Sequence, residues 1–185
     1  MLLAALLLFI QTGNAQTGKT LETCFSCHGV GGVSQTPLTP SIAGQPSFYV
    51  VAQLFLFRGG RRDSEDMTKV AKDLTDSDLT SLADAVFKLP PPKPPQEGFD
   101  EKRSSRGREI IGKERCASCH GADFSGEKNV PRIANQREDY LLKALKDYKA
   151  NKRVGYGNAI MPETVSGLSE AELADVSHYL AHFRK

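Results

Sequence analysis

Cys24, Cys27 and His28 form one Cys-x-x-Cys-His run, and Cys116, Cys119 and His120 form another. The chain has no other cysteine. Two cysteines three residues apart share one face of a helical turn. Their sulfurs can therefore add to the two vinyl groups of one porphyrin, and the next histidine can turn its imidazole to the iron. Competing chemistries need other surroundings. A zinc site built from four cysteines needs its cysteine pairs much closer in sequence than these. A thioredoxin-like pair needs a βαβ setting. Plain disulfides require no histidine after each second cysteine. The reading is two covalently attached haem c groups, each carrying iron.

A six-coordinate iron needs a second axial ligand. Apart from Met1 the chain has two methionines, Met67 and Met161, each about forty residues past its histidine. A lone methionine is ordinary core filler, but a matched pair points to thioether ligation, which raises a haem potential. Pro162 suggests a constrained ligand loop around Met161, whereas Met67 lacks that proline and sits in a charged loop, Asp63 to Asp66. His178 and His182 have no counterparts in the first half. They read as partly exposed helix histidines, with a bis-histidine second iron as the other reading. Pro40 and Pro131 follow the histidines by twelve and eleven residues. A carbonyl there can accept from the imidazole Nδ1–H and fix its orientation. Arg61 and Arg62, and likewise Lys152 and Arg153, suit a propionate contact, a docking face or a plain solvated surface.

These residues recur because the chain is a repeat. Pro40-Ser41-Ile42-Ala43-Gly44-Gln45 and Tyr49 return as Pro131-Arg132-Ile133-Ala134-Asn135-Gln136 and Tyr140. Thr75 and Ser169 read as N-caps with acids in the first turn. Leu79, Leu82 and Val86, like Leu173, Val176 and Leu180, recur at helical spacing. Phe48 to Phe57 and Tyr140 to Tyr148 give two more amphipathic helices. Segments after each haem histidine read as loops, and no strand pattern is convincing. Leu89 to Pro95 holds half of the ten prolines and reads as a semi-rigid polyproline linker. The divisions are a signal peptide over 1–15, domains over 16–89 and 99–185, and a linker over 90–98. Units of this size are marginal without a large apolar cofactor at the centre.

Met1 to Ile10 is entirely apolar, and Gly13-Asn14-Ala15 supplies small residues for cleavage. The run is too short to span a bilayer. It reads as a secretory signal, despite the absence of a basic residue ahead of it. The formal net charge is +2, a balance that excludes the strongly basic footprint of nucleic-acid binding.

The duplicated Cys-x-x-Cys-His-Gly, Pro-x-Ile-Ala-x-Gln, tyrosine and methionine pattern resembles class I cytochrome c, and its tandem arrangement resembles the dihaem cytochrome c4 family. The resemblance implies an all-α fold of two tandem class I cytochrome c domains, each wrapped around one covalent haem and related by a pseudo-twofold. It implies that Cys24, Cys27, His28 and Met67 hold one haem, and Cys116, Cys119, His120 and Met161 the other. It implies a periplasmic electron carrier with redox protein partners: a cytochrome reductase or dehydrogenase as donor and a terminal oxidase as acceptor. Peripheral membrane association and a role as electron outlet of a sulfide, thiosulfate or alcohol dehydrogenase complex are further readings. With both axial positions filled, no enzymatic activity is expected. Three departures touch the interface between the haems: Asn135 replaces Gly44, Tyr179 in the last helix stands where the first repeat has Ala85, and the linker is unusually rich in proline.

Overall fold

The computed structural model describes residues 13–153 and 160–184, with side chains from residue 21 onward. The apolar run proposed as a secretory signal lies outside the described residues, except for Gly13 to Ala15. The first half comprises α1 (Gly13–His28), α2 (Ser47–Arg58), α3 (Glu65–Ala71) and α4 (Asp76–Phe87). The second comprises α5 (Glu101–Lys113), α6 (Ala117–His120), α7 (Glu138–Lys149), α8 (Ile160–Val165) and α9 (Glu170–Ala181). Among the described residues the only extended pairing is an isolated bridge between Glu127 and Val130.

Local chemistry explains where the last helix of each half begins. Thr75 and Ser169 are both N-caps, and each closes a capping box, with Asp78 and Glu172 respectively. Two otherwise orphaned backbone N–H groups are satisfied at each start. These hydrogen bonds hold both carboxyl groups below their ordinary range, led by the Thr75 hydroxyl for Asp78 and the Ser169 backbone for Glu172. From those caps Leu79, Leu82 and Val86, and Leu173, Val176 and Leu180, turn into the core. The anticipated helices over Phe48 to Phe57 and Tyr140 to Tyr148 are α2 and α7.

α5 and α9 form the main packing pair of the second half. They cross at Gly107, where a Cβ would lie 2.3 Å from the Asp175 carbonyl oxygen and 2.8 Å from the Tyr179 Cβ. Only a bare backbone allows so close an approach. Tyr179 then packs edge-on against Phe124 and Phe183. α1 packs on α4, and α2 on α3 and α4. Ala85 is half-buried in α4.

One expectation needs correction. The segments carrying the methionines are short helices rather than loops: Met67 sits in α3, behind an N-cap at Ser64, and Met161 sits in α8. Ser64 accepts from the Met67 N–H, so the charged residues before Met67 serve as the acidic first turn of a helix. The linker is held to the protein. Pro92 is buried, and Pro91 packs 3.0 Å from the position a Gly44 Cβ would take.

Candidate haem sites

The two Cys-x-x-Cys-His runs are placed by helices. The first closes α1, with His28 as its last residue, and the second spans the N-cap and body of α6. In each run the leading cysteine is half-buried and the second is exposed. Burial pushes the Cys24 and Cys116 thiols above their ordinary value.

Both histidines are buried, and both are anchored as the sequence predicts. His28 Nδ1 lies 2.8 Å from the Pro40 carbonyl oxygen, and His120 Nδ1 lies 2.9 Å from that of Pro131. Nδ1–H donates to a carbonyl in each case, which fixes the tautomer and leaves Nε2 deprotonated. No described residue bonds either Nε2. Burial lowers both imidazole pKa values, and the proline carbonyl opposes that in part. A neutral imidazole with a free Nε2 and an oriented ring is what iron requires. The residues therefore fit two haem c groups: thiols three apart for the vinyl carbons, and a prepared nitrogen beside them.

His178 and His182 are not the partly exposed residues anticipated. They are 0% and 6% exposed. His178 Nε2 accepts from the Asp100 backbone N–H, so its proton is on Nδ1, directed at Glu138 at 2.9 Å. His182 presents Nδ1 to the His178 carbonyl and Nε2 to that of Glu97. Phe99 stacks on His178 and meets His182 edge-on. The pair fastens the end of the linker to α9: His178 is engaged at both nitrogens, and both His182 nitrogens face backbone carbonyls. The oxygen and nitrogen atoms of Glu138, His178 and His182 also converge within 4.8 Å. However, the proton on His178 Nδ1 points into that space, so the cluster is a strut rather than a cation site.

Arg62 and Arg153 are not surface residues of a docking face. They lie in the seam between the halves, while Arg61 and Lys152 are exposed. Arg62 donates to the Tyr140 hydroxyl at 3.0 Å, and Arg153 donates to the Tyr49 hydroxyl at 2.9 Å. Burial would raise the Tyr140 phenol, but the Arg153 and Arg62 guanidiniums overcome it and bring it down to about 8. The same seam holds a second reciprocal pair. Gln136 accepts from Ser41 N–H and donates to Ser41 O, at 2.8 and 2.7 Å. Gln45 does the same to Arg132, at 3.0 and 2.9 Å. Each equivalent pair (41 and 132, 45 and 136, 49 and 140, 62 and 153) is separated by 91 residues. The seam is thus pseudo-twofold. Recurrence of the glutamine and tyrosine marked these positions in the sequence, but nothing local showed that their partners lie in the opposite half.

An all-helical chain with two such prepared sites defines a class, the dihaem c-type cytochromes. A family model for cytochrome c matches residues 104–184. Cytochrome c4 of Thiocapsa roseopersicina is 34% identical over 182 residues, covering 92% of this chain and 93% of its own. The chain belongs to the cytochrome c4 family, and it carries electrons on two haem c groups. The structure of reduced recombinant cytochrome c4 from Pseudomonas stutzeri shares the fold, with a TM-score of 0.83 at 24% identity over 95% of this chain and 100% of that one. A thiosulfate dehydrogenase electron acceptor from Thiomonas intermedia is 30% identical, covering 86% of this chain and 77% of its own.

Proposed function

We propose that His28 with Met67, and His120 with Met161, are the axial ligands of the two irons, with Cys24 and Cys27, and Cys116 and Cys119, as the thioether anchors. The observation that carries this reading is the anchoring of both imidazoles through Nδ1 on a proline carbonyl, repeated in both halves. Each haem, when bound, supplies a one-electron iron couple. The residues do the rest. The cysteines prevent loss of the group, and the carbonyls hold the imidazole planes. The methionines occupy the remaining coordination position and deny it to substrate. Reorganisation on electron transfer is then small, and the protein acts by outer-sphere exchange with redox partners.

The donor is a periplasmic dehydrogenase or cytochrome reductase, and the acceptor a terminal oxidase. The relative named as a thiosulfate dehydrogenase electron acceptor favours a second reading, in which the donor is a sulfur-compound dehydrogenase and this chain its electron outlet. Among the described residues no helix is long and apolar enough to cross a membrane.

Ferric near-infrared magnetic circular dichroism of the purified holoprotein tests the ligands. Both sites should show methionine–iron charge-transfer bands. Met161→Ala should abolish one, open that iron to carbon monoxide and lower its potential. A variant that keeps both bands would remove Met161 from the ligand set.

A further inference from the structure

The reciprocal glutamine contacts reach further than the seam. The carbonyl that receives the His28 proton is that of Pro40, and the amide that Gln136 receives is that of Ser41. These belong to one peptide unit. In the other half the carbonyl of Pro131 and the amide of Arg132 likewise share a peptide unit, between His120 and Gln45. A peptide group is resonance-delocalised. An acceptor on its N–H shifts electron density to its oxygen, and successive hydrogen bonds polarise one another. Gln136 is 5% exposed and Gln45 is 6% exposed, so little water competes. Each side chain also donates from Nε2 to the carbonyl of the same residue whose N–H it accepts. That second bond fixes the amide plane.

We infer that Gln45 and Gln136 are crossed positioning residues. Each sets the orientation and basicity of the axial histidine in the opposite domain, through the peptide that joins them. The inference rests on His28 and His120 being the axial ligands. A stronger acceptor on Nδ1–H makes an imidazole a more basic ligand, which favours ferric iron and lowers the potential of that haem. Loss of Gln136 therefore raises the potential at the His28 site, and loss of Gln45 raises it at the His120 site. The domain carrying the substitution keeps its own value.

The test is redox titration of holoprotein, with the two haems resolved by their hyperfine-shifted proton resonances. Gln136→Leu should raise the reduction equilibrium constant of the His28 haem by roughly threefold or more, where tenfold is about 59 mV for one electron. Gln45→Leu should do the same for the His120 haem. Gln136→Glu and Gln45→Glu keep an acceptor for the peptide N–H. They should leave the opposite haem at or below its wild-type potential, so the sign separates polarisation from structural damage. The inference is overturned if leucine shifts the same-domain haem or both haems equally, or if leucine and glutamate move the potential in the same direction. Absence of axial imidazole resonances from the wild-type spectrum would defeat the ligand assignment itself. Wrong-haem shifts with those resonances intact would defeat the inference alone.

Discussion

At position 135 the second half carries asparagine where the first carries Gly44, and both have positive φ, 57° and 67°. Asparagine tolerates the left-handed region better than other side chains, so the exchange preserves the turn. It also adds something. Asn135 Nδ2 donates to the Phe183 carbonyl at 2.7 Å, beyond the end of α9. The backbone amides of both residues meet equivalent helix carbonyls, Leu180 and Val86. The departure thus leaves the seam intact. Asn135→Gly should cost about 1 kcal/mol through the lost hydrogen bond. Asn135→Ala should cost about 1 kcal/mol more, because alanine resists that φ. Guanidinium unfolding of the holoprotein would rank them, and an alanine variant more stable than the glycine variant would contradict this account.

At the scale of elements, the α5–α9 crossing has no spare room. Gly107→Ala places a methyl against the Asp175 carbonyl and should destabilise the second half by about 1–3 kcal/mol, read as a lower unfolding midpoint. The Asp175 side chain lies beside that crossing and holds Arg106 and Arg103. The Arg106 hydrogen bond outweighs the opposing effect of burial and keeps its carboxyl below the usual carboxylate range. A depressed folded value means that the contribution is complete above the unfolded pKa of about 3.9. It is lost as pH falls through the lower, folded value. Asp175→Asn should therefore flatten the acid end of the stability profile below about pH 4, and a superimposable acid limb would refute the point. The sequence showed α2, α4, α7 and α9, because each has an apolar face at helical spacing or a capping acid. It did not show α5, whose buried face is Ser104, Gly107 and Ile111. Small residues serve a close crossing but give no hydrophobic period. α3 and α8 are too short to display one. The two Cys-x-x-Cys-His runs and the anchoring of His28 and His120 on the Pro40 and Pro131 carbonyls were legible because short spacings define them. The burial of His178, His182 and Arg153 was not, since each depends on partners from distant segments.

For the whole molecule, each half is small for a self-supporting core, and haem attachment is expected to support its folding. On the proposed assignment Cys119→Ser removes one of two anchors at the second site and should lower the yield of mature dihaem protein, measured by pyridine haemochrome per polypeptide. Unchanged yield would show that a single thioether suffices. Two halves that meet by the same contacts in opposite senses have the geometry of an isologous homodimer, here within one polypeptide. In a symmetric dimer one substitution strikes both copies of a contact; within one polypeptide it strikes one. Positions met through their backbone can then carry different side chains: Arg132 holds the place equivalent to Ser41, and each meets its glutamine through the same two main-chain atoms.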